Sequence, residues 1–291
     1  MPRVLILGAG GNLGRALQLR LRSSQRWLVL PIFGPRAASG QKRVDITDRN
    51  EVDALIRELR PNAVVHLAGL TGNECAQDPE RAVEVNVRAV EKVARASSKY
   101  GVTSLLFPST SAVYGDRYTR PAAEEMQLDI RNAYAETKAR AEAVLRDLHR
   151  EGDGPAAAIL RVFNVYGAGL AESLVERLLA SSPTRPVSLR SAETFTRDYS
   201  SVSEIAKVME FILDQSAADQ IDPFTVNIGS GIPTSNGRLL QILQRHRRVY
   251  TSETPGAWSY SCADVTAARR LAIPIPLGLD ALVERASVVG D

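Results

Sequence analysis

The chain has 291 residues, of which 44% are hydrophobic, and its 36 basic and 33 acidic residues give a net charge of +3. This composition is typical of a globular protein with one large domain, or with a large domain and a small one. Charges of both signs are spread along the chain, and the densest basic stretch, "QRHRRV", is short and contains no aromatic residue. A nucleic acid is therefore not expected as a partner.

Cysteine and histidine usage argues against a metal centre. Cys75 and Cys262 lie far apart, and His66, His149 and His246 form no cluster, so we expect neither a disulfide nor a bound metal. The apolar run in "MPRVLILGAG" breaks into glycines too early for a signal peptide, and no later stretch has the length of a membrane span. No membrane partner is expected, and the predicted compartment is the cytosol.

Short aliphatic runs alternate with longer amphipathic segments through the first part of the chain. The predicted strands start with "RVLILG" at 3, "WLVLPIF" at 27, "AVVHLAG" at 63, "SLLFPST" at 104 and "AAAILRVF" at 156. The predicted helices between them span 11–22, 49–59, 79–99 and 133–150. This alternation predicts an α/β fold, a Rossmann-type doubly wound parallel sheet with a smaller C-terminal substrate-binding subdomain.

The pattern loosens after about residue 165, where Gly, Pro and Ser become frequent, although "FTVNIG" at 224 is again strand-like. We predict an NAD(P)-binding domain over 1–165, with a return of the chain to its sheet at about 191–229. The substrate-binding subdomain is predicted to comprise 166–190 and 230–291.

The first strand leads into a helix through "GAGGNLG", in which Gly8, Gly11 and Gly14 are spaced three apart. Glycines allow the backbone to approach a pyrophosphate, whose charge then faces the free N–H groups at the start of the helix. The motif therefore indicates a dinucleotide site. A tight turn without a ligand is the alternative.

The end of the second strand bears on which cofactor is bound. An NAD-binding protein would place an acid there for the ribose 2′-hydroxyl, but "VLPIFGPRAAS" has none and offers Arg36 instead. A guanidinium matches a 2′-phosphate, which favours NADP(H) and leaves NAD(H) as the second choice, unless Arg36 is only a solvated loop residue. In "VDITD", Asp45 could receive the adenine amino group, and Asp48 fits a helix N-cap equally well.

Lys138 is a charged residue on the apolar face of a predicted helix. Tyr134 and Lys138 are four residues apart and share the helix face that continues through Ala141 and Leu145. Because burial of an unpaired ammonium group is costly, this placement indicates that a fixed positive charge is needed there. The alternative is an exposed Lys138–Glu142 pair, which would stabilise the helix by only about 0.2–0.5 kcal/mol.

Over nearly its whole length the chain resembles the extended short-chain dehydrogenase/reductase superfamily, the branch of sugar-nucleotide epimerases, dehydratases and ketoreductases. The motifs that carry the resemblance, in chain order, are "GAGGNLG", "VDITD", "HLAG", "VEVNV", "PSTSAVYG", "YAETK", "LRVFNVYG", "RDYSSV" and "VNIGSG". The resemblance implies that Tyr134 is the general acid/base. It also implies that Lys138 binds the nicotinamide ribose and lowers the pKa of the phenol.

The resemblance assigns further residues. The hydroxyl that binds the substrate carbonyl falls on Thr110, with Ser109 and Ser111 as neighbours that could substitute. Dehydratases carry an Asp-Glu pair where this chain has Ser111 and Ala112, so a 4,6-dehydratase is not expected. The implied substrate residues are Thr110, Ser111, Asn164 and Arg197. The implied cofactor residues are Gly8, Gly11, Asn12, Leu13, Gly14, Arg36, Asp45, Ile46, Leu67, Ala68, Gly69, Asn86, Tyr134 and Lys138.

Three functions follow as hypotheses. The first is an NADPH-dependent ketoreductase of a nucleotide-linked keto-sugar, and the alternative is an NAD(P)-dependent 4-epimerase that keeps its cofactor. A non-catalytic NADP-binding regulator is the third. The segments 79–99 and 133–150 resemble helices that pair family members into homodimers, although their alanine-rich faces also suit packing within one chain. Arg197 and Asp198 could instead pair with neighbours where the two domains join.

Overall fold

The computed structural model describes residues 1–218 and 222–281. The strands are β1 (Arg3–Leu7), β2 (Leu28–Ile32), β3 (Ala63–His66), β4 (Ser104–Thr110), β5 (Ala156–Val162), β6 (Asn164–Tyr166), β7 (Val187–Arg190), β8 (Phe195–Ser201), β9 (Phe224–Ile228), β10 (Pro233–Ser235), β11 (Thr251–Thr254) and β12 (Ser259–Ser261). The helices are α1 (Asn12–Ser24), α2 (Arg49–Leu59), α3 (Gly72–Gln77), α4 (Pro79–Val83), α5 (Ala89–Lys99), α6 (Ala133–Arg150), α7 (Leu174–Leu179), α8 (Val202–Ala218), α9 (Asn236–Gln244) and α10 (Thr266–Arg270).

The main sheet has six strands in the order β2-β1-β3-β4-β5-β9, and every neighbouring pair is parallel. The strand order reverses at β1, between β2 and β3, which is where ligands bind in open α/β sheets. The carboxyl ends of β1, β3 and β4 therefore meet at one edge. This architecture confirms the predicted Rossmann-type fold.

Two hydrophobic cores cover the two faces of the main sheet. One packs α2, α5 and α6 against residues such as Leu5 and Phe107, and the other packs α1 and α8 against residues such as Ile6 and Leu106. Strands that are buried on both faces have continuous apolar sequences, and "SLLFP" in β4 and "AAAIL" in β5 fit that pattern.

A second sheet lies after β5. Strand β8 is at its centre and pairs with β6, β10 and β12, while β7 pairs separately with β11. Within the segment 191–229, the return to the main domain is thus made by α8 and β9, whereas β8 belongs to the smaller sheet. The domain boundaries remain a prediction, and 282–291 of the predicted subdomain lies outside the described residues.

The segment predicted as one helix over 79–99 is divided. Helix α4 passes into a π-helical turn over Glu84–Arg88 before α5 begins at Ala89. Such a turn inserts one extra residue and rotates the side chains within it relative to the rest of the helix. Asn86 lies inside this turn and points into the protein. In the part of the chain that the structure describes, no helix could cross a membrane.

Candidate active site

The glycine loop after β1 brings two backbones into close approach. Gly8 has a φ of +83°, and a Cβ placed on it would lie 2.5 Å from the backbone nitrogen of Ala68, on the loop after β3. A Cβ on Gly14 would lie 2.6 Å from the carbonyl oxygen of Gly8. Only glycine fits at these two positions, so the motif packs the first helix closely against the sheet edge.

The start of α1 is available to an anion. Its N-cap is Gly11, which contributes no side-chain cap, so the first N–H groups of the helix lack the hydroxyl or carboxylate partner that often covers them. The Asn12 side chain points away and donates to the carbonyl of Gly169 at 2.9 Å, which ties the loop to the smaller part of the protein. Leu13 packs against the hydrophobic core.

A cleft of about 1350 Å³ runs along this edge of the sheet. Of the predicted cofactor residues, it is lined by Gly8, Gly11, Arg36, Asp45, Ile46, Leu67, Ala68 and Gly69. Asn12, Leu13, Gly14, Asn86, Tyr134 and Lys138 are not part of its lining. The volume of the cleft, the close-packed glycines and the uncapped helix start together fit a dinucleotide.

Basic side chains that the sequence analysis did not single out also line this cleft. They are Arg15, Arg22 and Arg81, which join Arg36. Asp45 lies among them, and hydrogen bonds from Thr47, at 2.7 Å from its hydroxyl and 2.9 Å from its amide, hold the Asp45 pKa below its ordinary value. The N-cap prediction for Asp48 is confirmed, since it accepts from two amides at the start of α2.

Helix α6 carries the tyrosine and the lysine. It begins after Asn132, whose side chain accepts from the amide of Ala135 at 2.8 Å, and both Tyr134 and Lys138 are half-buried. The Lys138 ammonium donates to the carbonyl of Pro108 at 2.7 Å and lies 4.3 Å from the centre of the Phe107 ring. Burial lowers the pKa of Lys138 to about 8.

The exposed Lys138–Glu142 pair considered above is wrong. Glu142 is fully buried, and its partners are Ser109, Arg161 and Arg146.

The pKa of Tyr134 differs from the one that the family resemblance implies. Burial, with a smaller contribution from the charge of Cys75, raises the pKa of Tyr134 to about 12. The lowering by Lys138 that the resemblance implies is therefore not found in the protein alone. The phenol is protonated at neutral pH and can donate a proton to a bound ligand.

Two of the three hydroxyl residues at the end of β4 line a cavity, and the third faces the interior of the protein. Thr110 and Ser111 line a cavity of about 370 Å³, together with Asn132 at the start of α6. The Thr110 hydroxyl accepts from the amide of Ala112 at 3.2 Å. Ser109 is buried and donates to Glu142 at 2.5 Å, so the suggestion that it could substitute for Thr110 is wrong.

Asn86 is almost completely buried, and its partners lie within the protein. Its side-chain oxygen accepts from the amide of Leu70 at 2.8 Å, and its nitrogen donates to the hydroxyl of Thr137 at 3.1 Å. It thereby fixes the loop after β3 against α6. Asn86 is not part of the cleft lining, so it contributes to the cofactor site through this loop, whose Gly69 and Leu70 line the cleft.

Asn164 and Arg197 share two cavities. One is the cavity beside Thr110, and the other, of about 440 Å³, is also lined by Arg190. The Arg197 guanidinium stacks 3.8 Å above the Phe195 ring and donates to the hydroxyl of Ser259 at 2.8 Å. Burial lowers its pKa from the ordinary value.

Arg197 also forms an ion pair with Asp116, with a nitrogen–oxygen distance of 3.5 Å. The ion pair that the sequence analysis considered as an alternative role for Arg197 is therefore present. Asp198 is held separately by backbone amides of Ser230, Gly231 and Ala263. Asp116 was missed in the sequence because it lies far from Arg197 along the chain.

No group of His, Cys, Asp and Glu side chains in residues 1–218 and 222–281 could hold a metal ion. Cys75 and Cys262 are buried free thiols.

Comparison with known proteins identifies the family. The profile of the NAD dependent epimerase/dehydratase family matches residues 4–229. UDP-glucose 4-epimerase of Bacillus subtilis is 28% identical over 290 residues, covering 87% of this chain and 83% of the relative. UDP-glucose 4-epimerase 4 of rice is 27% identical over 87% of this chain and 78% of the relative.

Solved structures give the same result. The UDP-glucose 4-epimerase of Stenotrophomonas maltophila, with bound NAD and formylated UDP-arabinopyranose, superposes with a TM-score of 0.83 at 25% identity over 100% of both chains. MoeE5 in complex with UDP-glucuronic acid and NAD has a TM-score of 0.81 and 26% identity, over 97% of this chain and 96% of that one. The chain belongs to the NAD-dependent epimerase/dehydratase family.

Proposed function

We propose that this protein is an NAD(P)-dependent 4-epimerase of a nucleotide-linked sugar. The observation that carries the proposal is the junction at the end of β4, where Thr110 and Asn132, the N-cap of the helix that carries Tyr134, line one cavity with Arg197. The relatives named UDP-glucose 4-epimerase, which cover most of this chain, favour this alternative over the ketoreductase predicted first.

Each side chain then has a defined task. Arg197, with Arg190 in the adjoining cavity, binds the diphosphate of the substrate, because a half-buried guanidinium pairs strongly with phosphate oxygens. This anchor presents the sugar to Thr110 and Tyr134. The Thr110 hydroxyl hydrogen-bonds the sugar oxygen at C4, and Tyr134 exchanges the proton of that oxygen.

The cofactor would be held by the glycine loop, the start of α1, Asp45 and the Leu67–Gly69 segment. When bound, its nicotinamide supplies reversible hydride transfer at C4. Lys138, one helical turn from Tyr134 on α6, would bind the nicotinamide ribose of the cofactor, as the family resemblance implies. Ser111 and Ala112 offer no carboxylate pair, so elimination of water is not expected.

The experiment uses the purified protein with its bound cofactor retained. UDP-glucose, UDP-galactose and their uronic acid and pentose counterparts are each incubated without added reductant, and the products are separated by chromatography. Formation of the C4 epimer from at least one substrate supports the proposal. If every sugar is unchanged while NADPH drives reduction of a 4-keto-sugar, the epimerase proposal is wrong.

A second candidate, the NADPH-dependent ketoreductase, is favoured by one feature of the cleft. It has no acid at the end of β2, and four arginines line it against the single carboxylate of Asp45. A cofactor with a third phosphate suits that charge balance.

Arg36→Ala tests which cofactor is used. If the site is built for the 2′-phosphate, the variant should lose roughly 10- to 100-fold in NADPH affinity with little change for NADH, as expected for one charge-assisted hydrogen bond. Arg43→Ala is the matched control, because Arg43 is exposed in the same segment but does not line the cleft. Equal loss for both cofactors, or no loss, would exclude Arg36 as the selector.

A further inference from the structure

A buried ion pair lies directly behind the proposed catalytic residues. Glu142 follows Lys138 by one turn of α6 and is fully buried, and Arg161 on β5 is 4% exposed. Their shortest contact is 2.7 Å, and a second guanidinium nitrogen approaches the same carboxylate at 3.1 Å. Arg146 reaches it from the surface at 3.3 Å.

This pair is connected to the end of β4. Ser109 donates to Glu142 at 2.5 Å, and it stands between Pro108, whose carbonyl accepts from Lys138 at 2.7 Å, and Thr110, which lines the substrate cavity. Two neighbouring residues of one strand end thus bind two successive turns of α6. The distance between that helix and the strand end is set by these contacts.

Burial of the Glu142–Arg161 ion pair removes two charges from water, which costs free energy. Replacement of a buried ion pair by apolar residues of the same volume is often neutral or stabilising, so such a pair is weak support for a role in stability. Glu142 lies one turn from Lys138, which has no carboxylate within ion-pair distance among the described residues, and this position gives Glu142 a second role. A negative charge there favours the charged form of the ammonium.

We propose that Glu142 is a positioning residue that keeps Lys138 charged beneath the cofactor cleft and, through Ser109, fixes the strand end that carries Thr110. This inference rests on the proposed function only for the consequence in turnover. The charge state of Lys138 is a property of the folded protein and can be measured without any substrate.

Other groups around Lys138 do not replace Glu142 in this role. From β3, His66 stays neutral near pH 8, because burial and the charge of Lys138 lower its pKa to about 3. From α3, Cys75 has a pKa raised by burial, and Tyr134 on α6 titrates near 12. Strand β4 contributes only a carbonyl and an aromatic ring. Glu142, in its ion pair with Arg161 of β5, is therefore the carboxylate among these groups.

The test measures trace acetylation of Lys138 by mass spectrometry between pH 6 and pH 11, in the folded wild type and in Glu142→Gln. The wild-type lysine should titrate near pH 8. Glu142→Gln should titrate lower, by up to about one pH unit, which is the order expected for loss of one nearby charge at an effective dielectric of 20. The alkaline limb of turnover should move in the same direction.

Two matched variants separate charge from packing. Glu210→Gln removes another buried carboxylate, which pairs with Arg20 and Arg26 on the opposite face of the sheet, and should leave the Lys138 titration unchanged. Ser109→Ala removes a hydrogen bond to Glu142 but keeps its charge, and should also titrate like the wild type.

An unchanged Lys138 titration in folded Glu142→Gln would overturn the proposal. If that variant does not fold, the comparison is made in the Arg161→Gln background, where Arg146 can still pair with Glu142: the double variant Arg161→Gln/Glu142→Gln should titrate below Arg161→Gln alone. Equal titration of these two variants would overturn the proposal equally. If the wild type has no epimerase activity but the lysine shifts as predicted, the proposed function fails and the role of Glu142 stands.

Discussion

Replacement of Lys138 by methionine should make the protein more stable while it destroys activity. Lys138 is half-buried, and within residues 1–218 and 222–281 its ammonium has one hydrogen bond, to the carbonyl of Pro108, and no carboxylate at ion-pair distance. Methionine has a similar length, carries no charge and packs well against an aromatic ring such as that of Phe107. The variant therefore removes a destabilising charge from the interior.

The size of the effect follows from the pKa of the lysine. The fall from 10.5 to about 8 corresponds to roughly 3 kcal/mol of destabilisation when the lysine is charged, at about 1.4 kcal/mol per pH unit. The lost hydrogen bond to Pro108 offsets about 1 kcal/mol of that gain. We expect Lys138→Met to raise the free energy of unfolding by roughly 1 to 2 kcal/mol at pH 7.

The stability advantage of Lys138→Met over the wild type should decrease as the pH rises. Below about pH 8 the lysine is charged in both the folded and the unfolded wild type, so the folded state carries the whole penalty. Between about 8 and 10.5 the unfolded state binds more protons than the folded one, and the wild type becomes relatively more stable as the pH rises. The advantage of the variant should therefore shrink across that range.

Urea denaturation of both proteins at pH 7 and pH 9.5 measures this difference, because other titrating groups are common to both. Lys92→Met is the control: Lys92 pairs with Glu84 at 2.6 Å, so its removal should lower stability. A Lys138→Met protein that is less stable than the wild type at pH 7, or whose advantage is the same at both pH values, would refute the reasoning.

Three further variants test the site. Tyr134→Phe should bind cofactor normally while turnover falls about 10³-fold; undiminished turnover would remove Tyr134 from the chemistry. Thr110→Val should reduce kcat about 10²-fold with cofactor titration unchanged, and retained turnover would point to Ser111. Gly14→Ala should lower stability by about 1–3 kcal/mol and weaken cofactor binding, because its Cβ would lie 2.6 Å from a carbonyl oxygen. Gly11→Ala, whose nearest contact is 3.4 Å, is its control in thermal unfolding, and equal losses would contradict the close-packing argument.

Much of the fold could be predicted because its signals are local. The predicted helix 133–150 matches α6, since Asn132 provides a cap and the apolar face repeats with the helical period. The π-helical turn at Glu84–Arg88 could not be predicted in the same way. A single inserted residue hardly changes the hydrophobic pattern of a long helix, yet it decides where Asn86 points.

The site was predicted where the backbone or the helical period determines it. The inward position of Lys138 is of this kind. The close approach of Gly8 to the backbone of Ala68 was not predicted, because it joins two loops that are far apart in the sequence. The pairing of Glu142 with Ser109 and Arg161 could not be predicted, because these residues come from three elements and meet only in the folded protein. The raised pKa of Tyr134 follows from burial, which a motif does not specify.

Transfer of a label at C4 tests the central claim most directly. The wild-type protein with its retained cofactor is incubated with a UDP-hexose that carries deuterium at C4, without added NADPH. If the protein is an epimerase, the C4 epimer forms and keeps its deuterium, because the same hydride is removed and returned within one active site. An epimer that has lost the label, or a product that appears only with stoichiometric NADPH, would contradict the account.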